Sequence, residues 1–128
     1  MEILASRVLF RPTDYSRSVT FYRDAIGLAI AREYGAGTVF YAGQSLIELA
    51  GHGSPPPGGP PFPGALWLQV RDVYETQTEL EGRGVVIARP AKKELWGLHE
   101  MHVTDPDGVL LIFVQVPETH PLRRDVRN

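Results

Sequence analysis

Residues 99–113, HEMHVTDPDGVLLIF, place two histidines and a glutamate just ahead of an acidic turn. Imidazole and carboxylate groups can hold zinc, iron or manganese, and a histidine can also exchange protons near neutral pH. Side chains alternate across a strand, so Glu100 and His102 share one face while His99 and Met101 share the other. His99 and His102 therefore cannot chelate one ion together, and the segment supplies at most half of a metal site.

The composition narrows the classes of function. The 128 residues include no cysteine, and 43% are hydrophobic and 22% charged, as in an ordinary soluble domain that needs no disulfide. The net charge of −2 and the scattered Lys and Arg argue against a nucleic-acid partner. Glu2, Arg7 and Arg11 interrupt the apolar N-terminal run, and no later window could span a bilayer. We therefore predict a cytoplasmic protein without a membrane partner.

The first half of the chain predicts one strand, one helix and three strands. Asp14 is a good N-cap for the helix DYSRSVTFYRDAIG, whose apolar residues share one face, and Gly27 supplies a stop. Glycines separate the strand candidates that follow, as in a meander of hairpins. The predicted strands are ILASRVLF before the helix, then LAIAREY, GTVFYA and SLIELA.

The same order returns after a loop rich in proline and glycine. Asp72 caps the second helix and Glu75 completes a capping box. The predicted strands of this half are ALWLQVR before the helix, then GVVIARPA, HEMHVT and VLLIFVQV. We predict an α+β fold in a single domain, 1–128, with two βαβββ modules at about 1–50 and 65–117, a linker at 51–64 and a frayed tail at 118–128.

The helix DYSRSVTFYRDAIGL and the distant hairpin VTDPDGVLLIF together resemble the vicinal oxygen chelate superfamily, the group of glyoxalases, bleomycin resistance proteins and extradiol dioxygenases. The resemblance extends from Arg7 to Val116. It implies that the two modules curl into an incomplete mixed β-barrel around a cavity, with the helices outside. It also implies a homodimer, and it leaves the chemistry open, because this fold serves many reactions.

The resemblance also implies four metal-ligand positions, one on the first and one on the last strand of each module. They are occupied here by Arg7, Glu48, Leu66 and Ile112. Arginine stays protonated and has no lone pair to give, and the two aliphatic residues cannot coordinate. We therefore predict no metal and no other cofactor. A displaced metal site formed by Glu48, Glu100 and His102 remains an alternative.

We interpret Arg7, Glu48, Glu100 and His102 as a cluster of charges that lines an otherwise apolar cavity. Buried charges are costly unless they are paired, so Arg7 would pair with Glu48 in place of a metal, or the groups would meet a polar ligand. The same network could instead serve only to connect the two modules. Trp96, in the family's frequent Trp-Gly pair at a cavity rim, could stack on a planar ligand.

Three functions are compatible with these residues. The first is a metal-independent protein that binds a small organic molecule, as in the bleomycin-resistance branch, and sequesters an antibiotic-like or metabolite ligand. The second is an enzyme of the lyase, isomerase or dioxygenase type, in which His102 is the catalytic acid or base or the displaced metal acts. The third is a partner-binding or scaffold domain whose cavity has closed, with an interior filled by Leu66, Leu68, Leu110 and Ile112. We expect the first, and whether the chain is an enzyme stays open.

Overall fold

The computed structural model describes residues 1–52 and 62–122, and the chain divides into two compact units, Met1–Pro61 and Phe62–Asn128. The division falls in the predicted linker 51–64. Most of that linker (53–61) and the end of the predicted tail (123–128) lie outside the described residues.

Each unit has one helix and four strands, which confirms the predicted α+β fold of two βαβββ modules. The elements of the first unit are β1 (Val8–Phe10), α1 (Tyr15–Thr20) continued by a π-helical segment (Phe21–Ile26), β2 (Ile30–Tyr34), β3 (Gly37–Ala42) and β4 (Ser45–Ala50). Those of the second are β5 (Ala65–Val70), α2 (Val73–Gly82), β6 (Arg89–Lys93), β7 (His99–Thr104) and β8 (Leu110–Gln115).

The two units have the same sheet topology. The strand orders are β1-β4-β3-β2 and β5-β8-β7-β6, with the first strand of each unit parallel to the last and the other pairs antiparallel. The side chains of Asp14 and Asp72 cap the two helices by accepting hydrogen bonds from backbone amides in the first turn. The order of elements that repeats in the sequence thus corresponds to a sheet topology that repeats in the structure.

Two strands begin later in the chain than the sequence predicts. ILASRVLF yields only β1, because its pairing with β4 starts at Val8. GVVIARPA yields a strand from Arg89, because pairing with β7 begins there. The first helix also differs, since the amide of Gly27 donates to the carbonyl of Tyr22 five residues back, the π-helical spacing, where an uninterrupted α-helix was predicted.

The turn Asp105–Gly108 has a structural role. Oδ1 of Asp105 accepts hydrogen bonds from the amides of Asp107 and Val109, both at 2.8 Å. Gly108 has φ +83°, a left-handed conformation that favours glycine. The side chain of Asp105 thus holds the turn between β7 and β8.

One face of each sheet packs against the helix of its own unit. In the first unit, the ring of buried Tyr22 lies 6.2 Å from that of Phe40. In the second, Val73 and Leu80 of α2 are buried, as are sheet residues that the register places on one face. These sheet residues are Met101, Val103, Leu111 and Phe113. The candidate site residues Glu48, Glu100 and His102 lie on the opposite face of their sheets.

Neither described helix has the length and apolar composition needed to cross a bilayer.

Replacing Ser18 with alanine should raise the free energy of unfolding by about 1 kcal/mol. Ser18 is 1% exposed, and its Oγ has no hydrogen-bond partner among the described residues. Alanine removes this desolvated hydroxyl and favours the helix. Urea unfolding of Ser18→Ala tests this against Ser16→Ala, an exposed position on the same helix, where we expect a smaller gain. An unchanged or lowered midpoint in Ser18→Ala would show that the hydroxyl is satisfied.

Candidate functional site: two charged sheet faces

Glu48 lies at the centre of the charged face of the first unit and is only 7% exposed. Nη1 of Arg7 contacts its Oε1 at 2.9 Å, and the hydroxyl of Tyr34 donates a short hydrogen bond to its Oε2. The predicted ion pair between Arg7 and Glu48 is therefore present, and both carboxylate oxygens have a partner within the unit.

The three groups shift one another's ionisation. The hydrogen bond from Tyr34 is the largest influence and, with the hydrogen bond and charge of Arg7, lowers the pKa of Glu48 despite the opposing effect of burial. The same hydrogen bond raises the pKa of Tyr34, because the carboxylate disfavours a phenolate beside it. Glu48 is thus held as a carboxylate and Tyr34 as a phenol at neutral pH.

Tyr34 was missed by sequence reasoning, although it is the central contact of this face. The guanidinium carbon of Arg32 lies 5.3 Å from the centre of the Tyr34 ring, and the His52 ring lies 6.4 Å from it. A Cβ on Gly37, the strand partner of Tyr34, would overlap the phenol. An aromatic residue three positions before a required glycine was the signal that could have revealed this contact.

Glu100 is a buried carboxylate of the second unit. Nε1 of Trp96 donates a hydrogen bond of 2.7 Å to its Oε2. Trp96 is 59% exposed, although its N–H is anchored on the charged face. A hydrogen bond thus connects Trp96 and Glu100, two of the predicted site residues of this unit.

His102 lies on the same face as Glu100 and is half-buried. The register pairs it with Ile112 on β8 and with Arg89 on β6. Burial, and next the nearby charge of Arg89, lower the pKa of His102, so the imidazole is neutral at physiological pH. Among the described residues no group hydrogen-bonds to its ring nitrogens, which leaves them open to a ligand.

Arg89 is a second site residue that the sequence did not reveal. Its Nη2 donates a short hydrogen bond to Oε1 of the buried Glu94 and reaches the backbone oxygen of Glu100 at 3.2 Å. Arg89 therefore neutralises Glu94 and lies next to His102.

His99 points to the opposite face, as predicted. Its Nδ1 lies 2.7 Å from the hydroxyl of Tyr74 on α2. His99 and His102 therefore do not act on one ligand, although they are three residues apart.

The residues at the four family positions do not fit a metal ion. Arg7 is a cation, Glu48 has both oxygens engaged, and Ile112 is aliphatic. Leu66 was assigned to the wrong face, because it pairs with Leu111 on the helix side. Arg7 stands seven positions before Asp14, and the same offset before Asp72 gives Ala65, which is equally unable to coordinate a metal.

Within each unit, the described residues contain no group of three histidines or carboxylates that could hold a metal ion. The alternative site of Glu48, Glu100 and His102 draws its ligands from both units and stays a prediction. The same is true of a single charged cluster formed by Arg7 with these three residues. The structure shows a separate cluster of charged side chains in each unit, around Glu48 in the first and around Glu100 in the second.

The closed-cavity hypothesis chose residues that do not share a face. Leu66 and Leu68 pair with Leu111 and Phe113 on the helix side of the second sheet, whereas Leu110 and Ile112 lie on the other side. The residue that registers with Ile112 is Trp67, whose side chain is 45% exposed. The four aliphatic residues therefore cannot together fill a cavity.

Two βαβββ units, each with charged and aromatic residues on the sheet face away from its helix, define the class of this protein. A family model described as the Glyoxalase/Bleomycin resistance protein/Dioxygenase superfamily matches residues 5–113. The chain belongs to this superfamily, which confirms the resemblance seen in its motifs.

Solved structures support the fold. A lactoylglutathione lyase from Agrobacterium tumefaciens is 19% identical, with a TM-score of 0.68 over 89% of this chain and 95% of that one. A glyoxalase/bleomycin resistance protein/dioxygenase from Nocardioides is 14% identical, with a TM-score of 0.72 over 98% and 91%. Another from Alicyclobacillus acidocaldarius is 15% identical, with a TM-score of 0.67 over 87% and 89%. No curated protein sequence matches this chain. At these identities the likeness concerns the fold alone.

Proposed function

We propose that this chain is a metal-independent member of the superfamily that binds and sequesters a small organic molecule. The observation that supports this most is the state of Glu48. At the one family position where a ligand residue survives, Arg7 and Tyr34 already occupy both carboxylate oxygens. A cation and a phenol thus take the place that a divalent metal would need.

The charged faces are suited to binding a polar organic ligand. Arg7 is 37% exposed in its side chain and offers further N–H groups beyond the one that Glu48 accepts. In the second unit, His102 has open ring nitrogens on the sheet face that also carries two partly exposed tryptophans. We infer that Arg7, Glu48, Trp96, Glu100 and His102 contribute to ligand binding. The cytoplasmic location and the homodimer stay predictions.

Metal analysis tests the metal-independent part of this proposal. After incubation with iron, manganese, zinc or nickel and thorough dialysis, we expect plasma mass spectrometry to find far less than one metal ion per chain. A near-stoichiometric metal that disappears in Glu48→Ala or His102→Ala, but persists in Glu33→Ala, would contradict the proposal. That outcome would instead support the displaced site of Glu48, Glu100 and His102.

A thermal-shift screen of uncharged and ionic organic compounds tests the binding part. We expect at least one compound to raise the melting temperature, because a ligand that binds only the folded state stabilises it. The increase should be smaller in Arg7→Ala or His102→Ala. A screen in which no compound raises the melting temperature would count against a binding protein.

The alternative is an enzyme of the same superfamily with His102 as acid or base. It is favoured by one observation, the half-buried and neutral imidazole whose nitrogens are open. The alternative requires that a compound found in the screen is converted to product by the wild-type protein. His102→Gln should abolish that conversion, whereas His99→Gln, on the other face of the same strand, should retain it.

A further inference from the structure

The charged face of the second sheet carries both tryptophans of the chain. We call it the His102 face and define it by Trp67, Ile112, His102 and Glu100, with the indole of Trp96 above Glu100. Both indoles are partly exposed, although tryptophan is usually highly buried. Large aromatic surfaces left open on one sheet face are typical of a binding site.

Three residues form a row across neighbouring strands of this face. Trp67 on β5 registers with Ile112 on β8, and Ile112 registers with His102 on β7. Neighbouring strands lie about 4.8 Å apart, so the backbones of Trp67 and His102 are separated by roughly 10 Å. Aromatic rings pair at about 5 Å between centres, so a ring that stacks on the Trp67 indole above Ile112 would bring a substituent within reach of the His102 imidazole.

The polar groups of the face indicate the character of the ligand. Glu94 is paired with Arg89, and Glu100 accepts the hydrogen bond from Trp96. Each of the two buried carboxylates thus already has a partner on this face, and an ionic ligand would have to compete with that partner and lose part of its own hydration. His102 is neutral and its ring nitrogens have no partner among the described residues, so it can exchange one hydrogen bond with a hydroxyl or N–H group.

We propose that the His102 face binds an uncharged, planar aromatic compound that carries one hydroxyl or N–H group. Its ring stacks on Trp67 above Ile112, and its polar group hydrogen-bonds to His102. Trp67 is thus a specificity-determining residue that selects flat ligands. This inference rests on the proposed binding function and names the chemical class of its ligand.

The two indole N–H signals of the nitrogen-15-labelled full chain report directly on this face. The probe is 2-naphthol, which is planar and uncharged at neutral pH, and the comparison compound is 2-decalol, a saturated bicyclic alcohol of similar size. Spectra of Trp67→Phe and Trp96→Phe assign the two signals. We expect 2-naphthol to shift the Trp67 signal saturably through its ring current, and 2-decalol to bind at least about tenfold more weakly.

Variants separate stacking from hydrogen bonding. Trp67→Leu should weaken 2-naphthol binding about tenfold, whereas Trp67→Phe should retain most of it because a ring remains. His102→Leu should weaken binding about fivefold through loss of the hydrogen bond. His99→Leu, on the helix side of the same strand, should leave the affinity unchanged. Chemical-shift dispersion confirms that each variant is folded.

Failure of this inference can be told from failure of the proposed function. If the thermal-shift screen yields only non-planar or ionic ligands, or if 2-naphthol binds without perturbing Trp67, the inference is wrong and the binding function stands. Equal affinities for 2-naphthol and 2-decalol would also overturn the role of Trp67. If neither the probe nor any screened compound binds, both proposals fail.

Discussion

Replacing Glu48 with alanine is expected to lower the free energy of unfolding by about 2 kcal/mol. The change leaves the guanidinium of Arg7 and the hydroxyl of Tyr34 without the carboxylate that both contact. Removal of one partner of a fully buried ion pair costs about 3–5 kcal/mol, but the side chain of Arg7 is more than one third exposed and water will replace part of the interaction. Urea unfolding of the purified variant measures the difference.

Glu33→Ala is the matched control, because it removes an exposed carboxylate from the same unit. Its effect should stay within about 0.5 kcal/mol. Tyr34→Phe and Arg7→Met, each combined with Glu48→Gln in a double-mutant cycle, divide the effect between the two contacts. A Glu48→Ala variant as stable as the control would show that the two contacts contribute no net stability.

The effect of Glu48→Ala should also depend on pH. The pKa of Glu48 in the folded chain lies below its ordinary value of 4.5. Its stabilising contribution is therefore complete above that ordinary value and is lost as the pH falls through the lower, folded pKa. The difference in stability between wild type and Glu48→Ala should accordingly narrow in acid, while that between wild type and Glu33→Ala stays small throughout.

The elements predicted best from the sequence are those whose limits are set by local turn chemistry. GTVFYA, SLIELA and HEMHVT match β3, β4 and β7 residue for residue, because glycines or other turn residues stop each strand at both ends. The strands whose limits were predicted wrongly are those whose limits depend on pairing with a strand distant in the sequence. Val86 has high β-propensity but is exposed and unpaired, whereas pairing with β7 starts at Arg89. Pro90 is tolerated there because β6 is an edge strand with an irregular register.

The same distinction applies to the candidate site. Alternation along one strand was enough to place Glu100 and His102 on one face and His99 on the other. Tyr34, Trp67 and Arg89 were missed because their neighbours are set by cross-strand register, and a single sequence does not fix how strands far apart in the chain align. A one-residue error in counting assigned a family position to Leu66, where the spacing of Arg7 and Asp14 gives Ala65.

Replacing Gly37 with alanine is expected to lower the free energy of unfolding by about 2 kcal/mol and to separate Tyr34 from Glu48. A Cβ at this position would overlap the phenol ring and lie 2.9 Å from the backbone oxygen of Leu49. The strand backbone cannot give way without loss of its pairing with β4, so the aromatic ring must move. Once the phenol moves, Glu48 loses the hydrogen bond that most lowers its pKa.

Gly35→Ala is the control in the same hairpin, since a Cβ there would meet nothing within 4 Å. It should be neutral or slightly stabilising, because alanine restricts the unfolded chain. The pKa of Glu48, followed by carboxyl carbon-13 NMR, should rise in Gly37→Ala and stay unchanged in Gly35→Ala. If Gly37→Ala were destabilised with the pKa of Glu48 unchanged, the glycine would serve strand packing alone. A rise in that pKa would show that this glycine holds the phenol on the carboxylate, and that the pKa of Glu48 depends on a residue without a side chain.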